Sequence, residues 1–156
     1  NDWTKEIKKT TATNPTQQQR LEYWQAFNDY AFQNAEFNKA FNKRKPTTDH
    51  WMDFSIGSSA CHIAVSQIQK RNAIDVELYI NDDKELYDSL ESQKEEIEAK
   101  LNLPLECRRL DDKKASRIMH KIYGLNFNDH SNYGELMNEM IDKAVKFISV
   151  FKKYMK

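Results

Sequence analysis

Glycine and proline are scarce in this chain: each occurs three times in 156 residues. The glycines, Gly57, Gly124 and Gly134, never cluster. That excludes a glycine-rich phosphate cradle, in which bare backbone must approach the ligand. It also excludes a fibrous or low-complexity chain. Cysteine occurs twice, at Cys61 and Cys107. A single bridge at most is too little for a small secreted scaffold, so a reducing, cytoplasmic compartment is expected. No apolar run approaches the roughly 20 residues of a membrane span. The amino end, Asn1-Asp2-Trp3-Thr4-Lys5-Glu6, carries no signal-peptide pattern. Net charge is missing too, because 24 basic side chains cancel 24 acidic ones. No global field therefore draws the chain to nucleic acid or anionic lipid, and an electrostatic partner must meet a local patch. The first residue is Asn1 rather than a methionine, which suggests a piece of a longer protein or a processed chain.

What is present is a globular composition, 39% hydrophobic and 31% charged, in a length that suits one domain. Residues 1–16 read as a linker or flexible arm, and 17–156 as a single α+β domain. Pro15 marks the start of a first helix whose apolar face is Leu21, Trp24, Phe27 and Ala31, continued through Phe37 and Phe41. Lys43-Arg44-Lys45 suits the carboxyl end of that helix, and Pro46 stops it. After Pro46 the period changes to that of strands, at 51–56, 60–68 and 74–80. In the last of these, Ile74, Val76, Leu78 and Ile80 alternate with Asp75, Glu77 and Tyr79. Such alternation marks an antiparallel strand with one buried and one wet face. Asp82 then caps a second helix, with Glu85 completing a capping box and Leu86, Leu90, Ile97 and Leu101 as its stripe. Strands follow at 105–110 and 115–123, the latter also fitting a helical face. A last helix starts near Asn132 and turns Met140, Ala144, Phe147 and Phe151 inward. The expected fold is a largely antiparallel sheet of about five strands with packed helices, in the order α-βββ-α-ββ-α.

That order is also the core order of restriction-endonuclease-like nucleases, here in degenerate form. Their chemistry needs paired carboxylates around a divalent ion and a lysine beside the attacking water. The third strand offers Asp75-Val76-Glu77-Leu78-Tyr79, with tyrosine where the lysine belongs, and Asp53 is the nearest further acid. Asp75 and Glu77 read more simply as the solvated face of a strand, and no catalytic residue is assigned. Cys61, His62, Cys107 and His120 lack metal-ligand spacing, and adjacent residues on a strand point to opposite faces. No metal or cofactor is expected. Charge is nonetheless uneven: residues 82–98 are acidic apart from Lys84 and Lys94, whereas Arg108, Arg109, Lys113, Lys114, Arg117 and Lys121 face only Asp111 and Asp112. This basic strand pair could follow a phosphate backbone through Arg108, Lys113, Lys114, Arg117 and Lys121, with Tyr123 to stack a base. It could equally face an acidic helix of a partner or of the same chain. The aromatics from Tyr23 to Phe41 either cover the sheet or form a docking surface for another domain.

Several segments carry a family resemblance: Arg20-Leu21-Glu22-Tyr23-Trp24-Gln25-Ala26-Phe27, Trp51, Asp75-Val76-Glu77-Leu78-Tyr79-Ile80, the run from Leu90 to Glu98, and Lys114-Ala115-Ser116-Arg117-Ile118. From about Gln17 onward the chain resembles the prokaryotic domain-of-unknown-function family 4268. The resemblance implies a carboxy-terminal accessory module, sometimes behind a nuclease-like domain, and brings no active site with it. The expected function is a non-catalytic binding or interaction module of a larger bacterial protein, meeting another domain, a protein partner or nucleic acid. The alternatives are a divergent metal-dependent nuclease using Asp53, Asp75 and Glu77, and a homodimerisation domain.

Overall fold

A computed structural model describes residues 12–124 and 133–155. Helix α1 spans Pro15–Ala31 and begins as its sequence dictates. Asn14 accepts a hydrogen bond from the Gln17 amide at 2.9 Å, and Pro15 occupies the first turn, where no amide donor is needed. Residues 14–16 thus belong to the helix start rather than to an arm; the remainder of the predicted arm lies largely outside the described residues. The helix does not run on to Phe41 as expected. It ends at Ala31, and Asn34 caps a separate short helix, α2 (Ala35–Ala40), by accepting from the Phe37 amide. Two asparagine caps outweigh the continuous aromatic spacing, because each satisfies amides that a new helix leaves open. Lys43-Arg44-Lys45 lies beyond α2 in extended chain rather than at a helix end. That segment is tied back to α1: Asn28 donates to the Arg44 carbonyl at 2.7 Å, and the Trp24 indole donates to that of Asp49 at 2.8 Å.

The strands are β1 (Trp51–Ser55), β2 (Cys61–Ile68), β3 (Ala73–Ile80), β4 (Glu106–Arg108) and β5 (Ser116–Tyr123). They form one sheet in the order β1-β2-β3-β5-β4, with every neighbouring pair antiparallel. The ambiguous stretch at 115–123 is therefore a strand, and the predicted strand at 105–110 is shorter. β2 and β3 are joined through Gln69–Arg71 and Asn72, whose left-handed φ of 50° suits an asparagine at a tight reversal. Between β3 and β4 lie α3 (Lys84–Ser92) and α4 (Lys94–Leu101), and α5 (Tyr133–Phe151) closes the fold. The cap of α3 is Asp83, which accepts from the Leu86 amide, one residue later than the expected Asp82. The expected start of α5 at Asn132 lies outside the described residues.

One face of the sheet is covered. Ile74, Val76, Leu78 and Ile80 of β3, with the β2 residues beside them, join the apolar residues of all five helices in a single cluster. α5 lies on β2 and β3, and α1 and α2 pack on α5. The aromatics of α1 and α2 turn inward: Tyr23, Trp24, Phe27 and Phe37 are fully buried and meet edge to face, reaching Phe54 of β1. Edge contact brings the positive ring rim to a negative ring face, adding about 0.5–1.5 kcal/mol per pair to the burial. These rings therefore build the core rather than a docking surface; of the exposed large hydrophobics, only Tyr30 lies on α1.

The β4–β5 hairpin is fastened to α3 from two sides. Lys84 directs its ammonium at the carbonyls of Arg109, Leu110 and Ala115 and at the Ser116 hydroxyl, all within 3.1 Å. Arg109 makes a two-pronged pair with Asp88 at 2.8 and 3.2 Å. The first set offsets the cost of holding Leu110 at a φ of +58°, about 1 kcal/mol or more for a residue with a Cβ. Replacing Lys84 by Met removes the charged donor shared by these groups; the Arg109 carbonyl keeps the Ser116 hydroxyl and the Leu110 carbonyl the Lys113 amide, but the Ala115 carbonyl loses the ammonium. Urea denaturation of Lys84→Met should show a loss of about 2–4 kcal/mol; a loss below about 0.5 kcal/mol would contradict the clamp.

Candidate functional site: the open face of the sheet

Among the described residues no α-helix packs on the opposite face. Alternation along antiparallel strands sets its side chains in rows. In one row Asp53, Ala64, Glu77, Met119 and Glu106 follow one another across the five strands; in the next stand Ser55, His62, Tyr79, Arg117 and Arg108. A third row holds Trp51, Ser66, Asp75 and Lys121. The two short side chains, Ala64 and Ser66, both sit on β2, between longer ones on β1 and β3. A sheet with short residues along one strand is grooved there, and two adjoining hollows result. One, of about 490 Å³, is lined by Trp51, His62, Tyr79, Lys113 and Arg117, among others. The other, of about 300 Å³, is lined by Arg71, Asp75, Arg108 and Lys121. His50, Ser66 and Arg117 line both.

Asp75 and Glu77 were expected to face water. Both are buried, Asp75 completely. β3 is a central strand, and the longer side chains set beside it on β5, Arg117, Met119 and Lys121, lie along its polar face. Arg117 on β5 answers the two acids: its Nε donates to Glu77 at 2.7 Å, and a terminal nitrogen lies 3.6 Å from Asp75. Burial, and then the Glu77 charge, push the Asp75 carboxyl up to about 8, so it carries a proton at neutral pH. Arg117 is held above its usual value, since burial opposes its charge but the Glu77 hydrogen bond outweighs that. His50 is shifted downward by burial and by Arg20. The His62 ring stacks on Tyr79 at 5.1 Å.

Of the residues read from the sequence as a nuclease set, Asp75 and Glu77 are neighbours on one strand, but Asp53 is not with them. Asp53 stands two strands from Glu77, about 10 Å away at the usual strand spacing. It pairs instead with Arg44 at 3.2 Å and lies 3.8 Å from His62. Among the described residues no three of His, Cys, Asp and Glu converge as a metal site requires. On β5 Lys121 stands opposite Asp75 in register, and its ammonium lies 3.6 Å from Glu106 of β4.

Of the basic set, Arg108, Arg117 and Lys121 all face the hollows, and Lys113 stands at the rim. Lys114 is exposed in the same hairpin and lines neither hollow. Part of this charge is already matched, because Glu106 pairs with Arg108 at 2.7 Å and lies 3.6 Å from Lys121. Arg109 points away, to the acidic helix α3 of its own chain. Cys61 is buried in the core, and Cys107 lies partly buried against it. Burial raises both thiols, which makes them poor nucleophiles. His120 contacts the Pro104 carbonyl at 3.0 Å.

The match to a family model, Domain of unknown function (DUF4268), extends over residues 19–155. The chain belongs to that family. No curated protein matches it, and no solved structure does. The DUF4268 assignment thus spans the whole sheet with its open face. Sequence reasoning missed His50, Trp51, His62 and Tyr79 as parts of this site. The spacing of Arg117, Met119, Lys121 and Tyr123 was a visible signal of a shared strand face, but only the pairing of β5 with β3 shows what that face meets. Among the described residues no helix is long and apolar enough to cross a membrane.

The Asp75 proton makes stability depend on pH with a definite sign. Unfolded, Asp75 ionises near 4; folded, near 8. Between those values only the folded state keeps the proton, so this residue lowers stability progressively as pH rises from about 4 to 8, and no further above that. Asp75→Asn should remove that slope and exceed the parent at pH 8 by at least about 1 kcal/mol in urea unfolding. A variant equal to the parent at both pH 5 and pH 8 would refute the buried proton.

Proposed function

We propose that this domain is a non-catalytic binding module, an accessory part of a larger cytoplasmic bacterial protein. Its ligand is single-stranded nucleic acid laid across the open face of the sheet. The observation that carries this reading is the company kept there by exposed aromatic rings and cations. Trp51 is 43% exposed and Tyr123 62%, and both project from the face on which no helix packs among the described residues. By strand spacing they stand roughly 16 Å apart, a span of a few nucleotides of extended strand. Lys113, Arg117, Lys121 and Arg108 lie between and beside them. An uncovered sheet with stacking rings and phosphate-pairing cations is a common way to hold unpaired bases. Arg71, Arg108, Lys113, Arg117 and Lys121 outnumber the carboxylates Asp53, Glu77 and Glu106 on this face, and Asp75 keeps its proton.

A neutral chain has no long-range field, so affinity should be moderate and strongly dependent on salt. Fluorescence anisotropy of a labelled oligothymidylate of about 12 nucleotides should report binding at low ionic strength. The plot of log affinity against log salt should slope at about −0.7 per phosphate neutralised. Trp51→Ala and Tyr123→Ala should each weaken binding by about 1–3 kcal/mol. Absence of binding at the lowest salt would end this reading.

One observation favours a second reading, the metal-dependent nuclease: a lysine, Lys121, stands in register across from Asp75, two residues from Glu77 on β3. Incubation with plasmid and Mg²⁺ or Mn²⁺, with Glu77→Gln as control, separates the two. The binding module leaves the plasmid intact, whereas a nuclease cuts it and loses that activity in the variant.

A further inference from the structure

We infer that the smaller hollow of the open face is a subsite for one phosphoryl group, seated between Arg71, Arg108, Arg117 and Lys121 above the Asp75 carboxyl. This deepens the nucleic-acid reading and rests on it for the source of the phosphate. Four cations reach the hollow from three places: Arg71 from the turn after β2, Arg108 from β4, and Arg117 and Lys121 from β5. Among the described residues Glu77 pairs with Arg117 and Glu106 with Arg108 and Lys121, while Asp75 lies 3.6 Å from Arg117. Each guanidinium has five N–H donors, and Glu77 and Glu106 each take a single Nε at close range, so other donors remain for a tetrahedral anion. At about 300 Å³ the hollow is at the lower end of small-ligand sites.

The independent observation is Asp75. Its carboxyl is completely buried and lines the hollow; neither oxygen has a partner within hydrogen-bond distance, the nearest cation being Arg117 at 3.6 Å and the nearest acid Glu77. Buried polar groups are almost always partnered, so an orphan beneath a cluster of cations marks a place that a ligand completes. A charged carboxylate there would repel an anion. The neutral acid does not, and its O–H is a further donor. The groups facing it are Glu77 on its own strand, Arg117 and Lys121 from β5, Arg71, Arg108 and His50.

The test uses two probes on the whole chain, inorganic pyrophosphate by calorimetry and the labelled oligothymidylate by anisotropy. Arg71 and Arg108 are exposed, so Arg71→Gln and Arg108→Gln should leave the fold intact. Each should weaken pyrophosphate binding about tenfold, the effect of one charge-assisted hydrogen bond. The parent's affinity should also fall between pH 7 and 9 as Asp75 ionises, and Asp75→Asn should fall less; comparing the two cancels the titration of the probe itself. Unaltered pyrophosphate affinity in both arginine variants, or no binding by the parent, overturns the subsite. Pyrophosphate binding without oligonucleotide binding keeps the subsite and removes nucleic acid as its source. Oligonucleotide binding that neither arginine variant changes keeps the nucleic-acid reading and removes the subsite.

Discussion

The pair of acids on the central strand is the constraint around which this domain is arranged. β3 lies between β2 and β5, and the long side chains of β5 flank whatever it carries on its polar face. Asp75 and Glu77 occupy that face two residues apart, where both would be costly as bare anions away from water. Glu77 is matched by Arg117 across the strand pair, and Asp75 keeps its proton instead. The result is a sheet with an apolar side built for stability and a polar side that holds charge in reserve. Polar clusters that are incompletely matched add little to stability, since the desolvation cost offsets the attraction. In the binding reading proposed above, such a cluster at the centre of a sheet serves recognition rather than folding.

The two sides divide the work. The helical layer concentrates aromatic and aliphatic burial on one face, with Trp24 and Asn28 pinning the connector before β1 through its carbonyls. That pinning sets His50 and Trp51 at the edge of the groove. On the far side Lys84 and Arg109 hold the β4–β5 hairpin against α3, which places Lys113 at the opposite rim. Both walls of the groove are therefore fixed by contacts made elsewhere in the molecule. Short side chains at Ala64 and Ser66 supply its depth.

Much of the architecture was legible in the sequence because it rests on short-range periodicity. The alternation from Ile74 to Ile80 gave a strand, and the order of the elements followed from such patterns. Where expectation failed, a local polar group had decided the outcome: Asn34 started a new helix under a continuous aromatic stripe, and Asp83 rather than Asp82 became the cap. The site was less legible for a different reason. Its rows run perpendicular to the chain, so Trp51, Ser66, Asp75 and Lys121 become neighbours only through pairing register. A sequence displays the two acids on β3 and the cations on β5 but not their meeting, and a polar alternation reads as wet when the strand is central and covered. Membership in DUF4268 agrees with the resemblance seen in the sequence.

The most direct test is a map of the surface that responds to ligand. Backbone and side-chain resonances of the isotopically labelled chain should be followed while oligothymidylate is added at low salt. The account predicts shifts at Trp51, Tyr79, Arg117 and Tyr123, on β1, β3 and β5, with α1 and α5 silent. Shifts confined to the helical layer, or none at all, would contradict it.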